Sequence, residues 1–173
     1  MATAKKAAPK KAAKKAAPAK KVAKKAVVKK AATKQSAETG YKYSDKSAGQ
    51  PELLAIFEEL KKLLLPYEKG AMKVRGGSGG QIALVNEKPI EIDGRKRDEL
   101  HFAALLIQKG YVGFYFMPIY ANTDTKRAMH PDLLKLLKGK ACFHIKKLDD
   151  AMRKHIKDAL KSGFESYKEK KWL

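Results

Sequence analysis

No aspartate, glutamate, arginine or aromatic residue occurs in the first 37 positions of this chain, and Glu38 is its first acid. Lacking apolar bulk and opposite charge, that segment has nothing to collapse around and is expected to be disordered when free. Without arginine it has no bidentate reader of guanine, and without aromatics no ring for a base to stack on. The whole chain has one cysteine, Cys142, which excludes an intramolecular disulfide and makes a reducing compartment the expected one. No apolar run approaches the roughly 18 residues of a membrane span. Ala26-Val27-Val28 is too short for the apolar stretch of a secretory signal. A mitochondrial presequence would carry arginine and several serines, whereas this tail has only Ser36. The expected location is the cytoplasm, at the nucleoid.

What the tail does have is lysine: Lys5, Lys6, Lys10, Lys11, Lys14, Lys15, Lys20, Lys21, Lys24, Lys25, Lys29, Lys30 and Lys34. They stand mostly in pairs, spaced by alanine and by Pro9 and Pro18. Between the prolines the pattern KKAAKKAA puts lysines on one side of a helix and alanines on the other. Two turns do not persist alone in water, and lysines at i,i+4 repel one another. Phosphates would relieve that repulsion, so short helices are expected only on a polyanion. The chemistry left to the segment is point-charge contact with DNA or RNA phosphates, which carries no sequence information. If all 13 lysines engaged a duplex, the log–log salt slope would reach about −12. An amphipathic membrane helix is disfavoured, because its apolar face would be alanine.

Beyond the tail, residues 38–50 read as a polar linker and residues 51–173 as one domain. Pro51 opens a helix whose stripe is Leu53, Leu54, Phe57, Leu60 and Leu64, and Pro66 stops it. Strands are expected at Met72–Arg75, Gln81–Val85, Pro89–Ile92, Leu100–Ile107 and Tyr111–Tyr120, with Gln108-Lys109-Gly110 as a hairpin turn. Asp93–Arg97 reads as a basic turn. A short helix over Asp132–Lys138 ends at Gly139, and a last strand covers Ala141–Lys146. Asp149 or Asp150 caps a long final helix with the stripe Met152, Ile156, Ala159, Leu160, Phe164 and Tyr167. This order implies an α+β fold: an antiparallel sheet with the N- and C-terminal helices packed on one face. Both sides of Tyr111–Tyr120 are apolar or aromatic, so the second face needs a cover. Tyr111, Tyr115 and Met117 are expected on that face as a ligand groove, or as the interface of a homodimer formed through the sheet.

Two resemblances rest on these residues. The tail, with Ala8-Pro9-Lys10-Lys11, is similar in composition to the Lys/Ala/Pro-rich tails of linker histones and bacterial histone-like proteins. The stretches YVGFYFMPIY (Tyr111–Tyr120), PDLLKLLKGKACFHIKK (Pro131–Lys147) and GFESYKEKKWL (Gly163–Leu173) resemble the YdhG-like domain of unknown function. That resemblance covers about residues 43–173 and is most specific from Leu100 onward. It implies a compact domain of the frataxin-like fold superfamily and does not imply an activity.

Other constellations are weaker. Iron handling by fold analogy would need clustered carboxylates, but the first helix has only Glu52, Glu58 and Glu59 beside Lys61 and Lys62. Cys142 and His144 share a strand face, but with His101 they form only a scattered trio, so no metal and no cofactor is assigned. Gly76–Gly80 lacks the Lys-Ser/Thr of a phosphate-binding loop and reads as a flexible turn. No nucleophile–base arrangement stands out, so no enzyme is expected. The expected function is nucleic-acid association through the tail, with Arg95, Lys96 and Arg97 as an optional extension. A small-ligand or protein-binding module with an incidental tail is the alternative, and iron-linked binding a third.

Overall fold

The structure is a computed structural model that describes residues 43–77 and 79–173. The thirteen tail lysines and Ser78 lie outside the described residues.

Pro51, which lacks an N–H, suits the first turn of α1 (Pro51–Leu64). Leu53, Phe57, Leu60 and Leu64 recur at helical spacing and are buried. Leu54, assigned to the same stripe from sequence, is 41% exposed and points away from the core. The chain then forms β1 (Met72–Gly76), β2 (Gln81–Asn86), β3 (Ile90–Ile92), β4 (Arg95–Arg97), β5 (Leu100–Gln108) and β6 (Tyr111–Phe116). Three short helices follow: α2 (Pro118–Ala121), α3 (Thr123–Arg127) and α4 (Pro131–Lys135). β7 (Leu137–Lys138), β8 (Cys142–Ile145) and α5 (Asp150–Glu169) complete the fold.

Six strands make one antiparallel sheet in the order β1-β2-β5-β6-β8-β7. The α+β arrangement expected from the element order is the one observed. α1 and α5 bury their apolar stripes against one sheet face, where Ile82, Leu84, Leu105, Val112, Phe114, Phe143 and Ile145 converge. Asp149 caps α5, its carboxylate accepting from the Met152 N–H at 2.7 Å. Gly163 lets that helix approach the sheet. A Cβ there would lie 2.8 Å from Pro118 Cγ and closer still to the Phe116 ring.

Several sequence expectations need correction. The strand over Tyr111–Tyr120 stops at Phe116, because Pro118 has no N–H for a ladder and opens α2 instead. Met117 makes the last bond to β5, its N–H donating to the Phe102 carbonyl at 2.9 Å, and its helical backbone turns the chain into α2. The basic stretch Asp93–Arg97 is not all turn: Asp93 and Gly94 (φ 51° and 73°) make a tight hairpin bend, and Arg95–Arg97 is a strand paired with β3. The helix expected over Asp132–Lys138 ends at Lys135, and Leu137–Lys138 pair with β8 as a short edge strand.

The described part of the expected linker is also docked. The Tyr43 hydroxyl donates to the Ile107 carbonyl at 2.9 Å, and the Gln50 side chain accepts from the Gly110 N–H at 2.7 Å. Tyr43 packs with Tyr115 against Ala83, Val85, Ala104 and Leu106, the small apolar cluster of the second sheet face. At the far end, the Asn86 amide donates to the Trp172 carbonyl, and the indole meets Tyr167 edge-on at 5.2 Å. This ties the end of α5 to β2.

Candidate nucleic-acid interface

Side chains alternate across a strand, so Phe143 and Ile145 of β8 turn to the helices while Cys142 and His144 turn to the second face. On β6 the same rule brings Tyr111, Gly113 and Tyr115 to that face. Gly113 pairs with His144 and has no side chain of its own. A Cβ at Gly113 would lie 3.0 Å from the Tyr115 ring and 3.7 Å from the Tyr111 ring. Its absence lets the diagonal neighbours Tyr111 and His144 stack, with centroids 3.8 Å apart and planes 13° from parallel.

Lysines lie on the His144 side of this stack. Lys138 pairs with Cys142 across the edge of the sheet, and Lys146 and Lys147 follow β8 directly. Together with Lys135 and His144 they line a groove of about 510 Å³ that runs to the start of α5. Its single carboxylate, Asp149, is already committed to capping α5. Lys135 is held by Asp132 at 2.7 Å, but among the described residues no ion pair engages Lys138, Lys146 or Lys147. All three are exposed. Burial pushes the His144 pKa below its ordinary value, and the positive charges of Lys138 and Lys146 push it further down. The imidazole thus registers a local field that favours anions.

Of the expected trio, Tyr111 and Tyr115 share the second face on either side of Gly113, and Met117 is not with them. Tyr111 belongs to the stack and Tyr115 to the apolar cluster beside Tyr43. Met117 lies at the other end of α5, in a second groove of about 410 Å³ with Tyr120, Tyr167, Trp172, Arg97 and Lys170. Arg97 faces that groove, so the basic ribbon of β4 does not continue the lysine edge. Cys142 and His144 share the second face as expected, but His101 does not join them. His101 lies 3.4 Å from Glu99 beside the second groove, whereas Cys142 is a half-buried free thiol raised in pKa by that burial. On α1, Glu58 and Glu59 pair with Lys61 and Lys62 at 3.5 and 2.7 Å, which leaves little of a carboxylate cluster.

The lysine edge went unnoticed in the sequence, where its members sit in a helix, a turn and a strand end. The available signal was Lys138, Lys140, Lys146 and Lys147 flanking a strand whose outward residue is His144. Compared with known proteins, the chain matches no family model, no curated protein and no solved structure.

Proposed function

We propose that this chain binds nucleic acid without sequence preference, through phosphate contacts from its lysine-rich tail and from the basic edge of a YdhG-like domain. The observation that carries the reading is the set Lys138, Lys146 and Lys147, without an ion pair among the described residues, beside His144 of the Tyr111–His144 stack. Point charges on flexible stems suit phosphate and carry no base information. The thirteen tail lysines supply most of the affinity, and the edge fixes where the domain sits on the polymer. DNA or RNA at the nucleoid is the natural partner of such a polycation. No catalytic step is assigned.

The test is the full-length protein against a K138Q/K146Q/K147Q variant, each titrated with two unrelated DNA duplexes over a salt series. Each lost phosphate contact lowers the steepness of the log–log slope by about 0.9, so the variant should be shallower by up to about 2.7. Equal slopes would remove the edge from the interface. The groove lined by Met117, Tyr120, Tyr167 and Trp172 favours a second reading, a site for an aromatic or apolar small molecule. A ligand there would raise the melting temperature of the nucleic-acid-free protein.

A further inference from the structure

A second set of side chains converges where α4 meets α5. His130 precedes α4, Asp132 lies in its first turn, and His155 is in the second turn of α5. One ligand-capable atom from each lies within 4.8 Å of the others. The two imidazoles stack with centroids 3.6 Å apart and planes 7° from parallel. Asp132 Oδ2 is 3.6 Å from His130 Nδ1. The rings open onto a small cavity of about 180 Å³, where Asp158 and Ser162 form part of the wall.

The core holds these side chains in place. Met129 and Leu133 flank His130 and are buried, as are Ile156 and Ala159 beside His155. α4 and α5 are thus clamped together by apolar contacts, and the ligand atoms ride on the clamp. His130 Nδ1 accepts the Asp132 N–H at 3.2 Å, so in the neutral ring the proton sits on Nε2. Among the described residues His155 makes no hydrogen bond. The Asp132 carboxylate gives one oxygen to Lys135 and keeps the other on the histidine side.

We propose that His130, Asp132 and His155 bind a divalent transition-metal ion of the zinc type. Two imidazoles and one carboxylate form a mixed nitrogen–oxygen donor set of the kind zinc accepts. Three protein ligands leave a coordination position for water on the cavity side, with Asp158 and Ser162 within the same wall. Parallel rings cannot both direct a lone pair at one ion, so loading turns one ring about its Cβ–Cγ bond. Both rings border the cavity of about 180 Å³. The site adjoins the lysine edge through Lys135, which lines that groove and bonds Asp132, but its three ligands are not part of the edge, and metal binding is tested without nucleic acid.

The experiment is calorimetric titration of the full-length protein with Zn²⁺ at about pH 7.5, where free histidine is neutral. The comparison proteins are His155→Phe, which keeps a stacked ring without a ligand atom, and Asp132→Asn. One equivalent should bind the parent chain, and each variant should bind at least about tenfold more weakly. NMR of the parent protein removes any dependence on variant folding. Zn²⁺ should move the ring signals of His130 and His155 and leave those of His101 and His144 in place. Absence of a stoichiometric site, undiminished binding by both variants, or shifts confined to His101 and His144 would each overturn the proposal.

Discussion

The ring of Tyr111 lies flat on the imidazole of His144, 3.8 Å between centroids, over a glycine that leaves room for both. The stack sets an aromatic surface, which the aromatic-free tail cannot supply, beside the lysine groove that His144 lines. A base stacked on an aromatic side chain contributes about 1–3 kcal/mol by alanine substitution. Tyr111→Ala should therefore weaken binding of single-stranded oligonucleotides by more than it weakens duplex binding. Fluorescence anisotropy with matched single- and double-stranded probes makes the comparison. Equal losses on both would remove stacking from the account.

His144 should report phosphate binding directly. Its pKa is lowered first by burial and then by Lys138 and Lys146. A phosphate between those lysines offsets their charge, so the His144 pKa should rise when DNA is added. NMR titration of its ring protons with and without a short duplex reads the change, and an unmoved pKa would place the phosphates elsewhere.

The same shift has a consequence for stability. His144 and His101 both have lowered folded-state pKa values, chiefly from burial, with Arg75 adding to the effect at His101 and Glu99 opposing it. Between each lowered value and the unfolded value of about 6.5, the unfolded chain binds more protons than the folded one. Stability from these two groups is thus complete above about pH 6.5 and is lost as pH falls below it. Urea denaturation at about pH 7.5 and about pH 5.5 should give a lower midpoint in acid. His144→Phe should lessen the difference.

Tyr43 tests whether the strap before α1 belongs to the fold. Its hydroxyl donates to the Ile107 carbonyl, and its ring covers the second-face cluster. Tyr43→Phe keeps the ring and should cost about 0.5–1.5 kcal/mol in denaturant unfolding. No change would mean that the strap does not hold in solution.

Gly163 tests the contact between α5 and the sheet. Alanine is favoured over glycine inside a helix by up to about 1 kcal/mol. Here its Cβ would press on Phe116 and Pro118, whose backbones are fixed by β6 and α2. Overpacking of this kind costs about 1–3 kcal/mol, so Gly163→Ala should lower the melting temperature despite the better helix former.

The long elements were legible because their signals are local and redundant. Pro51 and the recurrence of Leu53, Phe57, Leu60 and Leu64 mark α1 at both pattern and start. Asp149 and the stripe ending at Tyr167 do the same for α5. Met117 was misplaced because apolar alternation runs past Phe116, and only the missing N–H of Pro118 marks the exit from the sheet. Sequence alone reads β4 as turn because Arg95, Lys96 and Arg97 are all basic and carry no apolar alternation. The joining of Lys135 and Lys138 to Lys146 and Lys147, and of His130 to His155, is harder to see for another reason. These residues are brought together by strand pairing and helix docking, which leave no spacing in the sequence.

The central claim is that the tail anchors the domain to phosphates. Every contact described here lies between Tyr43 and Leu173, so a form lacking residues 1–37 retains the whole observed core. The most direct measurement compares this form with the full-length protein on unrelated DNA duplexes across a salt series. The account predicts a steep, sequence-indifferent slope for the full-length protein, bounded by about −12 if every tail lysine engages. It predicts a much shallower slope and weaker binding for the shortened form. Equal binding by both forms, or none by the full-length protein at physiological salt, would contradict it.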